Sequence, residues 1–178
     1  MENTNNNAGA AARPLRVAIF GQGNTSVVPA DMLNTMRAWI QQTNGNIEFL
    51  VPDGLRFDAS VHHLLSGLGM RDKTIIFGID RVRTNKFNMR EKVYKLEYIP
   101  DEQRAYILKD DGTVGVEWKD LEDVRSIFDD RKYYTFKDSQ ICYFADAALI
   151  AWDGNNKTVS NLITMLKVQN KPVYIFNI

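Results

Sequence analysis

The sequence predicts an α/β, Rossmann-like domain: a parallel sheet of about five strands in the order 3-2-1-4-5, helices on both faces, and a β-rich insertion. Three observations carry this. Short apolar runs recur at 15–20, 47–51, 74–77, 147–152 and 172–176. Helical periodicity fills most of the intervals between them. The 178 residues, 44% apolar and 25% charged, suit one domain with a sizeable insertion.

Residues 1–13, rich in Asn and Ala, read as a flexible tail ahead of a single domain at 14–178. The run at 15–20 stops at Gly21, as a buried parallel strand does. A helix follows from about Pro29, with Leu33, Met36 and Ile40 inward, and Asn44-Gly45 stops it. The strand at 47–51 closes on Pro52-Asp53-Gly54. Asp58 or Ser60 can cap a helix bearing Val61, Leu64, Leu65 and Leu68. The strand at 74–77 ends at Gly78, and the regular alternation then breaks. Residues 79–133 form the insertion, with β character at 92–99 and 104–118, a hairpin turn at 110–113, and a short helix capped by Asp120. Thr135 to Asp138 resembles a capping box, so a helix is expected from there to about Ala145. The strand at 147–152, a helix at 158–169 and the strand at 172–176 complete the chain.

Lys plus Arg and Asp plus Glu are 22 each, and this neutral balance argues against a dedicated nucleic-acid binder. No run of about 18 apolar residues is present, so no membrane span is readable. The start of the chain lacks the apolar core of a secretory signal. The single Cys142 can form no internal disulfide and suits a reducing, cytoplasmic compartment.

Ligands on doubly wound sheets bind beyond the carboxyl ends of the strands, where the strand order reverses. Here that point lies between the first and fourth strands. Its two loops hold Gly21, Gln22, Gly23, Asn24, Thr25 and Ser26, and Asp153, Gly154, Asn155, Thr158 and Ser160. Glycines let a phosphate approach the backbone, hydroxyls donate to it, and a helix N-terminus adds partial positive charge. The same residues also make ordinary tight turns and helix caps. A Gly-x-Gly alone is not the full dinucleotide fingerprint.

Residues 145–161, Ala-Asp-Ala-Ala-Leu-Ile-Ala-Trp-Asp-Gly-Asn-Asn-Lys-Thr-Val-Ser-Asn, lead into a helix and then Lys171-Pro172-Val173. With Lys137-Asp138, Ile141 and Ala145 upstream, this resembles the carboxy-terminal half of SLOG proteins. That superfamily includes the single-strand DNA-processing protein A and the LOG enzymes. The resemblance spans about 15–78 and 134–178. It implies a domain that senses or processes nucleotides or nucleotide-derived signals, often in bacterial or phage conflict systems, in the cytoplasm (the host's, if viral). LOG enzymes carry Pro-Gly-Gly-x-Gly-Thr-x-x-Glu. Here Asn161 stands where the Glu is expected, and Asp153 is the only acid in the loop. Cleaving an N-glycosidic bond requires a carboxylate at the reacting centre. Catalysis therefore falls to Asp153 or to a distant acid such as Asp53.

His62 and His63 are neighbours on a helix and point about 100° apart, which is poor geometry for a metal. No metal or cofactor is expected. Cys142 reads as a core residue, and Ser139 and Ser160 lack a readable His partner. Arg81, Arg83, Lys86, Arg90, Lys92 and Lys95 cluster after the third strand, as a solvated hairpin, a phosphate clamp led by Arg81 and Arg83, or a nucleic-acid patch. Trp118, Tyr133 and Tyr134 can stack on a base or fill a core or interface. The insertion's aromatics suggest a homo-oligomer. Three functions follow: binding of a nucleotide-like small molecule, N-glycosidic cleavage or transfer, or assembly with a degenerate site. The missing Glu favours binding.

Overall fold

The computed structural model describes residues 12–178. Most of the expected tail lies outside that range. Arg13, at its end, makes a bidentate pair with Asp146, at 2.7 and 3.0 Å.

The large sheet forms because its central strands are apolar on both faces, as a sheet covered on both sides requires. β1 (Leu15–Gly21), β2 (Ile47–Pro52), β3 (Thr74–Ile79), β4 (Arg90–Tyr94), β8 (Ala147–Trp152) and β9 (Val173–Asn177) are all parallel, in the order β4-β3-β2-β1-β8-β9. Between them, β5 (Leu96–Ile99), β6 (Arg104–Leu108) and β7 (Val114–Trp118) make a separate antiparallel sheet. This corrects the expected five strands and the order 3-2-1-4-5. The expected order survives inside the sheet, but the insertion supplies a sixth strand, β4, at the edge beside β3. The β segment expected at 92–99 divides at Lys95, with β4 in the large sheet and β5 in the small one.

The helices α1 (Ala30–Gln42) and α2 (Phe57–Gly67) cover one face, α3 (Arg131–Phe144) and α4 (Lys157–Val168) the other. Met32, Met36, Phe57, Val61 and Leu65 meet Val17, Ile19, Phe49, Val51 and Ile76. On the opposite face Ile141, Cys142, Leu162 and Leu166 meet Ala18, Phe20, Leu50, Phe77 and Ile150. The small sheet adds Ala105, Ile107 and Trp118 to this second core. Gly115 lies so close to Phe136 that a Cβ there would stand 2.2 Å from the ring, which is how β7 seats against α3.

Three expected starts move. Asp130, not Thr135, opens the helix α3, its carboxylate accepting from the Lys132 N–H at 2.7 Å. Asp123 rather than Asp120 caps the short 3₁₀ helix Val124–Asp129. Neither Asp58 nor Ser60 is the N-cap of α2. That position belongs to Arg56, and the Asp58 carboxylate turns back to accept from the Gly54 N–H at 3.0 Å.

Among the described residues no helix is long and apolar enough to cross a membrane.

Candidate functional site

The sheet order still reverses between β1 and β8, and a cavity of about 460 Å³ opens there, beyond the strand ends. This volume lies in the usual range for small-molecule sites. One wall is the loop Gly21-Gln22-Gly23 after β1. The first turn of α4 contributes Asn156, Thr158 and Val159. The end of β2 and the start of α2 bring Gly54, Leu55, Arg56 and Asp58, and α3 brings Tyr134, Lys137 and Asp138. Arg83 reaches in from the loop after β3.

At the base of the cleft is an ion pair. Asp53 is fully buried at the end of β2, Lys137 is 2% exposed on α3, and Nζ stands 2.5 Å from Oδ1. The Arg83 backbone N–H donates to Asp53 Oδ2 at 3.0 Å, and its guanidinium lies 3.4 Å from Oδ1. The Thr84 hydroxyl donates to the Asp53 carbonyl at 3.0 Å, so the loop after β3 is laced over the end of β2. Burial alone would raise the Asp53 carboxyl. The Lys137 charge and hydrogen bond, together with Arg83, hold it below the ordinary aspartate value. The Arg83 guanidinium sits 5.5 Å from the Tyr134 ring centre, and the Lys137 ammonium 5.6 Å from it.

Two further carboxyls line the same cleft. Burial pushes Asp58 up to about 7, with Asp138 and Asp53 adding to the rise and Lys137 and the Gly54 N–H opposing it. Burial pushes Asp138 up to about 6, with Asp53 adding and Lys137 and Arg83 opposing. A carboxyl near neutrality can hold or release a proton at physiological pH.

Arg56 adds backbone strain at the rim. Its φ of 57° and ψ of −101° lie outside the comfortable regions for a side-chain-bearing residue. Its guanidinium donates to the Asn24 carbonyl at 3.2 Å, bridging the loops after β1 and β2. Beside it Leu55 is 68% exposed, an apolar side chain at the cleft edge.

Of the residues expected from sequence, Gly21, Gln22, Gly23, Thr158 and Arg83 line the cavity. Gln22 ties the two loops together, its Oε1 accepting from the Asp153 N–H at 2.7 Å. Gly21 has a packing role: a Cβ there would stand 2.4 Å from the Phe57 ring. Asn24, Thr25 and Ser26 sit beyond the lining, where the Thr25 hydroxyl accepts from the Val27 N–H at 3.0 Å. Asp153, Gly154, Asn155, Ser160 and Arg81 also lie outside it. The Asp153 carboxylate turns into its own loop, accepting from the N–H groups of Asn155 at 2.8 Å and Asn156 at 3.3 Å. Those bonds, the Asn155 bond foremost, hold it below the ordinary value. Gly154 has φ 88°, which suits glycine in this tight loop.

The structure disperses the basic segment. Arg83 pairs with Asp53, Arg90 with Glu48, Lys92 with Asp110 and Lys95 with Glu97. Trp118 and Tyr133 are core residues at 4% and 1% exposure, so neither is free to stack on a base. His62 is buried with Nε2 2.9 Å from the Pro52 carbonyl, and Cys142 is in the core, its thiol pushed up to about 12 by burial. Among the described residues no three His, Cys, Asp or Glu side chains are grouped to hold a metal.

Comparison with protein-family models and with curated proteins finds no match to this sequence.

Proposed function

We propose that the protein binds a nucleotide or nucleotide-derived small molecule in the cleft at the sheet's reversal point, as a SLOG-like domain would. The observation that carries this reading is the cavity itself. A glycine loop and the first turn of a twelve-residue helix flank it, and Arg56 and Arg83 stand at its sides. An anionic group at the loop and helix end would meet backbone N–H groups and the helix dipole. Leu55 and Tyr134 offer apolar surface to the remainder of the ligand. Calorimetry of the whole chain against a nucleotide panel tests the reading, paired with mass spectrometry of whatever co-purifies. Binding that survives in wild type but weakens tenfold or more in Arg83→Ala and Thr158→Val supports it. Absence of binding across the panel overturns it.

A second reading is favoured by one observation, the Asp58 and Asp138 carboxyls in the same cleft. In N-glycosidic hydrolysis one acid protonates the leaving base. A second, ionised carboxylate takes a proton from the water that attacks the anomeric carbon. The products are free base and ribose or ribose phosphate. Base release from nucleoside monophosphates, followed chromatographically, tests this reading.

A further inference from the structure

A second cavity of about 170 Å³ adjoins the cleft between α3 and α4. Tyr134, Asp138, Thr158 and Leu162 line both spaces. The smaller one is faced mainly by apolar surface, with Leu162 and Met165 of α4 and Tyr134 of α3 in its lining and Asn161, Thr135 and Arg131 at its sides. A cavity of this size and lining suits a small, largely apolar group such as one heterocycle. At the boundary of the two cavities stands the half-buried Asp138 carboxyl. Its position in the lining of both spaces makes it the acceptor shared between them. A ligand N–H placed there would donate to a carboxylate, and hydrogen bonds to ionised acceptors are among the stronger ones. The larger cavity thus carries Arg56, Arg83 and Lys137, while the smaller is mainly apolar with the Asp138 acceptor where the two meet.

From this juxtaposition we infer that the α3–α4 cavity is a base subsite. It takes a planar heterocycle bearing an exocyclic amino group, which donates to Asp138, while the anionic end of the same molecule lies in the larger cleft. The inference rests on the nucleotide-binding reading and adds to it the class of base and the residue that selects it.

The test is calorimetric titration of the whole chain with AMP, GMP, CMP, purine riboside 5′-monophosphate and ribose 5-phosphate. Purine riboside 5′-monophosphate has AMP's ring without the amino group, and ribose 5-phosphate has no base. The tightest of the three amino-bearing nucleotides should bind at least tenfold better than purine riboside 5′-monophosphate, with ribose 5-phosphate weaker still. Asp138→Leu should remove the amino preference. Met165→Trp fills the slot from α4 without touching Asp138. It should bring every nucleotide down to the level of ribose 5-phosphate, and it carries the test if Asp138→Leu does not fold. Equal binding of nucleotides and ribose 5-phosphate overturns the base subsite and leaves the anion-binding reading standing. Binding by none of the five overturns both.

Discussion

Lys137 and Asp53 meet at 2.5 Å between the middle of α3 and the end of β2, with both side chains almost wholly out of solvent. The pair ties the two faces of the cleft together before any ligand arrives. A buried pair of this kind contributes less to stability than its Coulomb energy suggests, because both charges are desolvated. Removing one partner is another matter.

Lys137→Met should therefore destabilise the fold by about 3 kcal/mol, since it leaves a fully buried carboxylate with only Arg83 to compensate it. Lys137→Met combined with Asp53→Asn should recover a substantial part of that loss. Denaturant unfolding of the two variants and wild type measures this. A double variant no more stable than the single would show that the pair's charge balance is not what matters.

Asp58 and Asp138 give the fold a pH dependence of definite sign. Their carboxyls stand at about 7 and about 6, above the ordinary value of 3.8. A group whose folded value is raised stabilises the fold in its protonated form. That contribution is full below about pH 4 and is lost as pH rises through 6 to 7. His62 acts in the opposite direction: burial lowers it, so stability falls as it is forced to protonate in acid. The comparison that isolates the carboxyls is wild type against Asp58→Asn. Their melting-temperature difference should change between pH 5 and pH 8, with the Asn variant gaining relative to wild type as pH rises. A constant difference across that range would mean Asp58 titrates near its ordinary value.

Gly21 and Gly23 separate packing from binding. A Cβ at Gly21 would stand 2.4 Å from the Phe57 ring, while at Gly23 it would meet nothing within 4 Å. Gly21→Ala should cost about 1–3 kcal/mol through overpacking against α2. Gly23→Ala should leave stability within about 0.5 kcal/mol. If the loop cradles an anion, Gly23→Ala should still weaken ligand binding, because the added methyl stands at the mouth of the cavity. Thermal unfolding and nucleotide titration of the two variants read the two effects independently.

The central strands were legible because β1, β2, β3 and β8 are buried on both faces and so are written almost entirely in apolar residues. β4 was not. Arg90-Glu-Lys-Val-Tyr is an edge strand with only Tyr94 buried, and nothing in its alternation says which sheet it joins. The two loops at the reversal point were legible from their glycines and polar residues. Of the groups between them, the sequence offers Asp53 as a distant acid, but Asp58 from α2 and Lys137 and Asp138 from α3 meet it only in the folded chain. One signal was available. Tyr134, Lys137 and Asp138 are spaced i, i+3, i+4, which sets them on one face of a helix. A helix begun at Thr135 leaves Tyr134 outside it, whereas the helix capped by Asp130 brings all three onto one face. Gly21 was read for its backbone access, and its tight contact with Phe57 is a tertiary fact that no local pattern announces.

Asp153 is the one acid in the loop before α4, and its carboxylate turns into that loop rather than toward the cleft. Its carboxylate is engaged by the N–H groups of Asn155 and Asn156 and lies outside the cavity lining. Asp153→Asn keeps an oxygen acceptor for those bonds, so it should change nucleotide affinity by less than about 1 kcal/mol. Asp58 and Asp138 face the cleft instead. If the protein only binds its ligand, no free base should appear with wild type or with any of the three Asn variants. If it cleaves N-glycosidic bonds, wild type and Asp153→Asn should both release base. Asp58→Asn or Asp138→Asn should then lose about 10²-fold or more in rate, the usual loss for a missing general acid or base. Base release abolished by Asp153→Asn and untouched by the other two would return the catalytic role to the loop and contradict this assignment.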